Sequence, residues 1–242
     1  MTLSKVLKIH PLALSLILTG FLTACAGNLL PGASNDPPSL YVLTPKTTFP
    51  DALPKVDWQL TIPLPVADAA LNTARITLRQ NPISLEYYAR ANWVDTAPQM
   101  IQTLLVESFE NSGKIIGVGR QSVTLRADYS LLTDLREFQA EYLGNGPPRV
   151  RVRLNAKLVK MPQRTILATE TFEFLEPAAS SDLEAVVSAF DVALGKTLKR
   201  IVGWTLKSVP PESPRARRQL EARRSGPLGF RQIVRHLGHQ LF

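Results

Sequence analysis

The sequence predicts an α+β fold: a mostly antiparallel sheet with two helices packed on one face. Three observations predict it. Val150, Val152, Leu154, Ala156 and Leu158 alternate with Arg149, Arg151, Arg153, Asn155 and Lys157, the period-two pattern of a half-buried strand. The flanking segments, roughly 128–142 and 166–175, join it through Gly144-Asn145-Gly146-Pro147-Pro148 and Pro162-Gln163. Short turns make antiparallel neighbours. Two other stretches, 97–109 and 183–202, carry apolar residues at helical spacing. Helices and strands thus segregate along the chain instead of alternating as regular βαβ units. A sheet covered by helices on one face leaves the other to water or to a partner.

The chain opens with Lys5 and Lys8, a short apolar run from Pro11 to Leu22, and small residues before Cys25. The apolar run is too short to cross ~30 Å of hydrocarbon, so 1–24 read as a secretory signal. Leu22-Thr23-Ala24-Cys25 resembles the lipobox of bacterial lipoproteins. That resemblance implies diacylglycerol on the Cys25 sulfur and cleavage before it. Two or more acyl chains hold a protein stably on a membrane where one does not. The competing readings are an uncleaved anchor or an ordinary signal with a chance cysteine. Residues 25–39, Gly-, Pro- and Ser-rich, read as the acylated cysteine and a flexible tether. Fully extended, its fourteen residues after Cys25 reach about 46 Å.

The folded domain is assigned to 40–207. Leu40–Leu43 reads as a short strand before Pro45. Trp58, Leu60 and Ile62 alternate with polar residues and end at Pro63 and Pro65. Ile76 and Leu78 suggest another strand, and Leu85, Tyr87, Ala89, Ala91 and Trp93 share one face of a longer one. Thr96-Ala97-Pro98-Gln99 fits a capping box, with Pro in the first turn of a helix that carries Ile101, Leu104, Leu105 and Phe109 and stops at Gly113. Gly117-Val118-Gly119 lacks the Lys-Ser/Thr of a phosphate-binding loop and reads as a turn. Ser181-Asp182-Leu183-Glu184 fits a second capping box, before a long stripe through Phe190, Leu194, Leu198 and Val202. Lys196, Lys199, Arg200 and Lys207 gather toward that helix's C-terminal end, where its dipole favours cations.

Charge and chemistry narrow the function. The net charge of +8 is uneven, with seven arginines against two glutamates after Val209. The folded middle is close to neutral, and an exported chain has no nucleic acid to meet. Cys25 is the only cysteine, so an internal disulfide is excluded. The domain itself contains no His and no Cys, which removes the usual nucleophile systems and zinc sites. Glu137 with Glu141, and Glu170 with Glu173, are the remaining acid–base candidates, and their spacing reads as solvated surface charge. The expectation is a protein that is not an enzyme and carries no cofactor or metal.

Several segments together resemble one family. They are Leu40-Tyr41-Val42-Leu43-Thr44-Pro45, Tyr129 to Tyr142, Pro148 to Val159, Thr171-Phe172-Glu173-Phe174, Ala185 to Leu194, and Ile201-Val202-Gly203-Trp204. In this order, behind a lipoprotein tether, they are similar to the ABC-type transport auxiliary lipoproteins, the lipoprotein partners of MCE-type lipid transport systems in Gram-negative bacteria. The resemblance implies an MCE-domain protein and its ABC permease and ATPase as partners, and it admits a homo-oligomer. Ala26 rather than Asp follows Cys25, which by lipoprotein sorting rules permits transport to the outer membrane, the domain facing the periplasm.

Two surfaces are candidate sites. Arg149, Arg151 and Arg153 are two residues apart, so their side chains point the same way and offer a contact for the MCE partner. The competing reading is a solvated face that blocks edge aggregation. In the 208–242 tail, Phe230, Ile233, Val234, Leu237 and Leu241 recur at helical spacing beside Arg231 and Arg235, with Arg217, Arg218, Arg223 and Arg224 upstream. This suits a basic helix lying on an anionic membrane, or a solvated extension, since Gly229 and Gly238 weaken a helix. An alternative function is a carrier that itself encloses a phospholipid, with Tyr87, Trp93, Phe172, Phe174 and Trp204 as cavity lining rather than plain core.

Overall fold

The structure is a computed structural model and describes residues 37–120, 127–144 and 146–209. Its spine is β7 (Tyr129–Glu141). Along one side, β7 pairs antiparallel with β8 (Arg149–Lys160) from Tyr129↔Lys160 to Glu141↔Arg149. Next, β8 pairs antiparallel with β9 (Thr165–Pro177). Along its other side β7 receives three short parallel strands in succession. β2 (Gln59–Ile62) pairs at Tyr129–Ser130, β3 (Val66–Ala67) at Asp134–Leu135, and β4 (Arg75–Arg79) at Ala140–Glu141. β5 (Glu86–Trp93) lies antiparallel to β4, and β1 (Ser39–Tyr41) parallel to β5. The long ladders are antiparallel, as the short turns predict.

Residues 117–119 correct the sequence reading. Gly117–Arg120 is strand β6, parallel to β2 from Gln59↔Gly117 to Ile62↔Arg120. Two glycines lower β propensity, but backbone pairing with the buried β2 overrides it. A second correction concerns β5. Its register on β4 jumps from Arg75↔Asn92 to Thr77↔Tyr87, and Arg90 has φ +52°. The irregularity breaks the single face expected for Leu85 to Trp93: Ala89 is exposed while Ala91 and Trp93 are buried.

Two helices cover one face. α1 (Ala97–Ser112) starts after the extended backbone of Thr96, with Pro98 in its first turn. The expected capping box is not made. Thr96 Oγ1 donates to Gln99 Oε1 at 2.7 Å, so the two side chains bond each other instead of the backbone. Gly113 ends the helix at φ +61°, a left-handed position that suits glycine, and its N–H reaches the Glu110 carbonyl at 3.0 Å. α2 (Leu183–Ser208) has Asp182, not Ser181, as its N-cap residue. The Asp182 carboxylate accepts from Ser180 Oγ at 2.8 Å rather than capping the helix, so the second capping box is also unmade.

α2 packs on β8 and β9, and α1 packs on α2, β6 and β2. The core lies between. Val150, Val152, Leu154, Ala156 and Leu158 of β8 all face it and are fully buried, as their alternation requires. Trp93, Phe138 and Phe190 form its aromatic centre, with ring centroids 4.9–5.7 Å apart. Polar bonds fix the layers. Gln102 Nε2 donates to the Ile62 carbonyl at 2.9 Å, and Asp191 of α2 accepts from the Thr44 backbone N–H at 2.6 Å and from its hydroxyl at 2.9 Å.

Candidate functional site

The sheet face away from the helices carries the chemistry. It is assembled by a bulge. On β7, Leu131 and Leu135 point into the core, and so do Phe138 and Ala140, because the register slips between Leu135 and Glu137. The extra residue, Arg136, changes the parity. Glu137, Gln139 and Glu141 therefore emerge on the opposite face, beside the arginines of β8. Across the ladders Glu137 lies opposite Arg153, Gln139 opposite Arg151, and Arg153 opposite Glu173 of β9.

Arg151 sits at the centre. Its Nε donates to Glu141 Oε1 at 2.8 Å and its Nη2 to Glu141 Oε2 at 3.1 Å, a bidentate pair. The same Nε lies 3.2 Å from Glu137 Oε2, and Nη1 contacts Glu173 Oε1. Arg153 Nη2 donates to Glu137 Oε1 at 2.9 Å. Gln139 Nε2 donates to Glu141 Oε1 at 3.2 Å. The Glu141 side chain is only 3% exposed, against 24% for Arg151.

This arrangement overturns the reading of Glu137 and Glu141 as solvated charge: both are ion-paired, and Glu141 is buried. Glu173 is exposed, as that reading expects, and contacts Arg151. Glu170 has even parity on β9, pairs with Ala156, and so belongs to the helix-covered face, separate from Glu173. Burial pushes the Glu141 carboxyl up. The hydrogen bonds from Arg151 and Gln139 and the charges of Arg151 and Arg79 outweigh it, so its pKa falls below the ordinary carboxylate value. The Arg151 guanidinium is raised, first by its hydrogen bond to Glu141. A carboxylate held ionised in this way has no proton to give at neutral pH.

The three predicted arginines do share one face. Arg151 and Arg153 are engaged inside the network, whereas Arg149 is exposed. Lys157, also exposed, lies farther along the same face, opposite Leu132. Leu132 and Leu175 are partly exposed there as well, at 41% and 36%. The surface on offer is thus an ion-paired centre, with three carboxylates against two guanidiniums, flanked by cations and apolar side chains. Opposite charges spaced by two on neighbouring strands were the available signal for the network. The bulge at Arg136 has no such signature.

The other candidates divide. Cys25 and the tail arginines Arg217, Arg218, Arg223, Arg224, Arg231 and Arg235 lie outside the described residues. Of the aromatics considered as a cavity lining, Trp93 and Phe172 are buried core at 1% and 3% exposure. Tyr87 lies under Arg75, whose guanidinium carbon is 3.8 Å from the ring centroid. Phe174 is partly buried against the core, and Trp204, also partly buried, borders an open cleft. Among the described residues, no helix is long and apolar enough to cross a membrane.

Comparison with known proteins follows the same domain. Residues 41–202 match the family model described as "ABC-type transport auxiliary lipoprotein component". An uncharacterized protein of Bradyrhizobium diazoefficiens is 32% identical over 174 residues, which make up 69% of this chain and 44% of that relative. The chain thus spans less than half of that relative's length. The crystal structure of a Xanthomonas campestris protein superposes with a TM-score of 0.67 at 36% identity, covering 70% of this chain and 95% of that one. A second crystal structure, of an uncharacterized protein, gives a TM-score of 0.55 at 13% identity over 69% of this chain and 97% of the other, and shares the fold.

Proposed function

This chain belongs to the ABC-type transport auxiliary lipoprotein components, and from that premise we propose that it is a non-enzymatic docking component of an MCE-type lipid transport system. Membership makes it a membrane-anchored lipoprotein of the periplasm. The finer reading places the acyl chains on Cys25, the anchor in the outer membrane, and the domain in contact with an MCE-domain protein whose ABC permease and ATPase supply the energy. The observation that best supports it is the family match, which spans 41–202, nearly all of the described domain.

The sheet face described above supports docking. Its ion pairs tie β7, β8 and β9 together across that face. Arg149, Lys157, Leu132 and Leu175 remain for a partner. Two rim cations with apolar neighbours suit a protein surface of opposite charge. The pinned Glu141 and the absence of His and Cys from the domain sequence support a role without catalysis.

The test is co-purification. The full-length protein is tagged and isolated from cross-linked envelopes, alongside the variant Arg149→Glu/Lys157→Glu, with circular dichroism confirming that both fold. The proposal expects the MCE-domain protein and its permease with the parent protein, and their loss with the variant. Recovery of neither partner by the parent protein overturns the transport reading. Equal recovery by both proteins removes this face from the contact.

A further inference from the structure

A second site lies on the other side of the sheet, where the C-terminal half of α2 crosses β9. There, a cleft of about 330 Å³ opens to the surface. Lys199, Arg200 and Lys207 of α2 line it, and Glu170 of β9 is the one carboxylate in the lining. All three cations are exposed, and none is within ion-pairing distance of a described carboxylate. Lys196, one turn earlier, differs: it is held by Glu176. Cations near a helix C-terminus are favoured by the dipole, which explains a basic end. It does not explain why three of them border a hollow.

The apolar part of the lining is equally specific. Trp204 is half-buried, edge-on to Phe172 with centroids 5.7 Å apart, and Leu53 lies beside it. Gly203 lines the cleft with them. Glycine weakens a helix interior, and nothing in the helical backbone at 203 requires it. A Cβ at 203 would rest 3.6 Å from Leu53 Cδ2, an ordinary contact, so alanine fits. Any longer side chain would enter the cleft.

We propose that this cleft binds a phosphate ester carrying a short apolar chain. Three cations against one carboxylate leave two positive charges, which match a phosphate monoester of charge about −1.5 to −2 at pH 7. The Arg200 fork and the two ammonium groups supply donors that a phosphate accepts. The chain would lie on Trp204 and Leu53, in the space that Gly203 leaves. A cleft of this size, part apolar with a few convergent polar groups, is of small-ligand dimensions. This inference does not rest on the docking reading, which concerns the opposite face.

The chain contains three tryptophans, and Trp58 and Trp93 are buried, so a ligand in the cleft reports through Trp204 emission. The full-length protein in dodecyl maltoside is titrated with hexyl phosphate, glycerol 3-phosphate, inorganic phosphate and hexanol. The expected result is a saturable change with hexyl phosphate at least tenfold tighter than with glycerol 3-phosphate or phosphate, and none with hexanol. Lys199→Glu/Arg200→Glu should weaken it at least tenfold. Gly203→Leu, which keeps every charge, should do the same by filling the space. Arg149→Glu/Lys157→Glu should leave it unchanged. No saturable change, equal binding of glycerol 3-phosphate, or undiminished binding by whichever of the two cleft variants folds overturns the proposal.

Discussion

Replacing Arg151 with alanine should cost on the order of 3 kcal/mol, because it strands Glu141 as a buried and uncompensated carboxylate. Arg149→Ala, two residues away on the same face, should leave the denaturant midpoint nearly unchanged, since that side chain is exposed and joins no ion pair of the network. Equal midpoints for the two variants would mean that the network does not hold the sheet. The same pair sets a pH dependence. The folded pKa of Glu141 lies below its unfolded value of about 4.5, so its contribution to stability is complete above that value and is lost as pH falls through the folded pKa. Thermal unfolding followed from pH 6 downward should therefore fall more steeply below about pH 4.5 in the parent protein than in Glu141→Gln.

At the scale of elements, α2 is the main cover of the sheet, and its stripe is structural. Phe190 and Leu194 are both fully buried, so Phe190→Ala and Leu194→Ala should each cost about 2–5 kcal/mol in denaturant unfolding. Unmoved midpoints would mean that α2 does not pack as described. This helix was legible in the sequence because its apolar residues recur at one period for more than five turns. So was β8, whose strict alternation survives intact in the burial of Val150 to Leu158. Irregular positions were not legible. Arg136 differs in no way from its neighbours as a residue, yet one extra residue there decides that Glu141 faces Arg151 and not the core. Likewise, the Gly117–Arg120 strand exists because β2 offers it a backbone edge, which no local propensity encodes. The candidate site was half visible for the same reason. The arginines on β8 could be placed on one face, while their carboxylate partners needed the register of the neighbouring strands.

For the whole molecule, attachment and assembly are the questions. If the Cys25 thiol is the acceptor, Cys25→Ser should abolish acylation, and metabolic labelling with an alkyne fatty acid measures it. Label persisting on the variant would refute Cys25 as the lipid site. The tail makes a separate claim. If its arginines meet a membrane at about 1 kcal/mol per charge, the non-acylated chain should bind anionic liposomes in a salt-sensitive way, and a chain ending at Pro210 should not. Equal binding by both chains, or by neither, would leave the tail without this role.

The position of β7 has a consequence in time. β2, β3 and β4 all pair with it, and β5 and β1 reach the sheet only through β4. A secreted chain emerges on the far side of its membrane from the N-terminus onward. The strands from Ser39 to Arg120 therefore arrive before the one they are built against. Until residue 141 has crossed, Leu60, Ile62 and Ile76 have no completed core to enter, and several strand edges stand open at once. The domain closes late and as a unit, when the β7–β8 hairpin forms and α2 follows it. Until then, the strand edges of the first half stand open to whatever surrounds the chain.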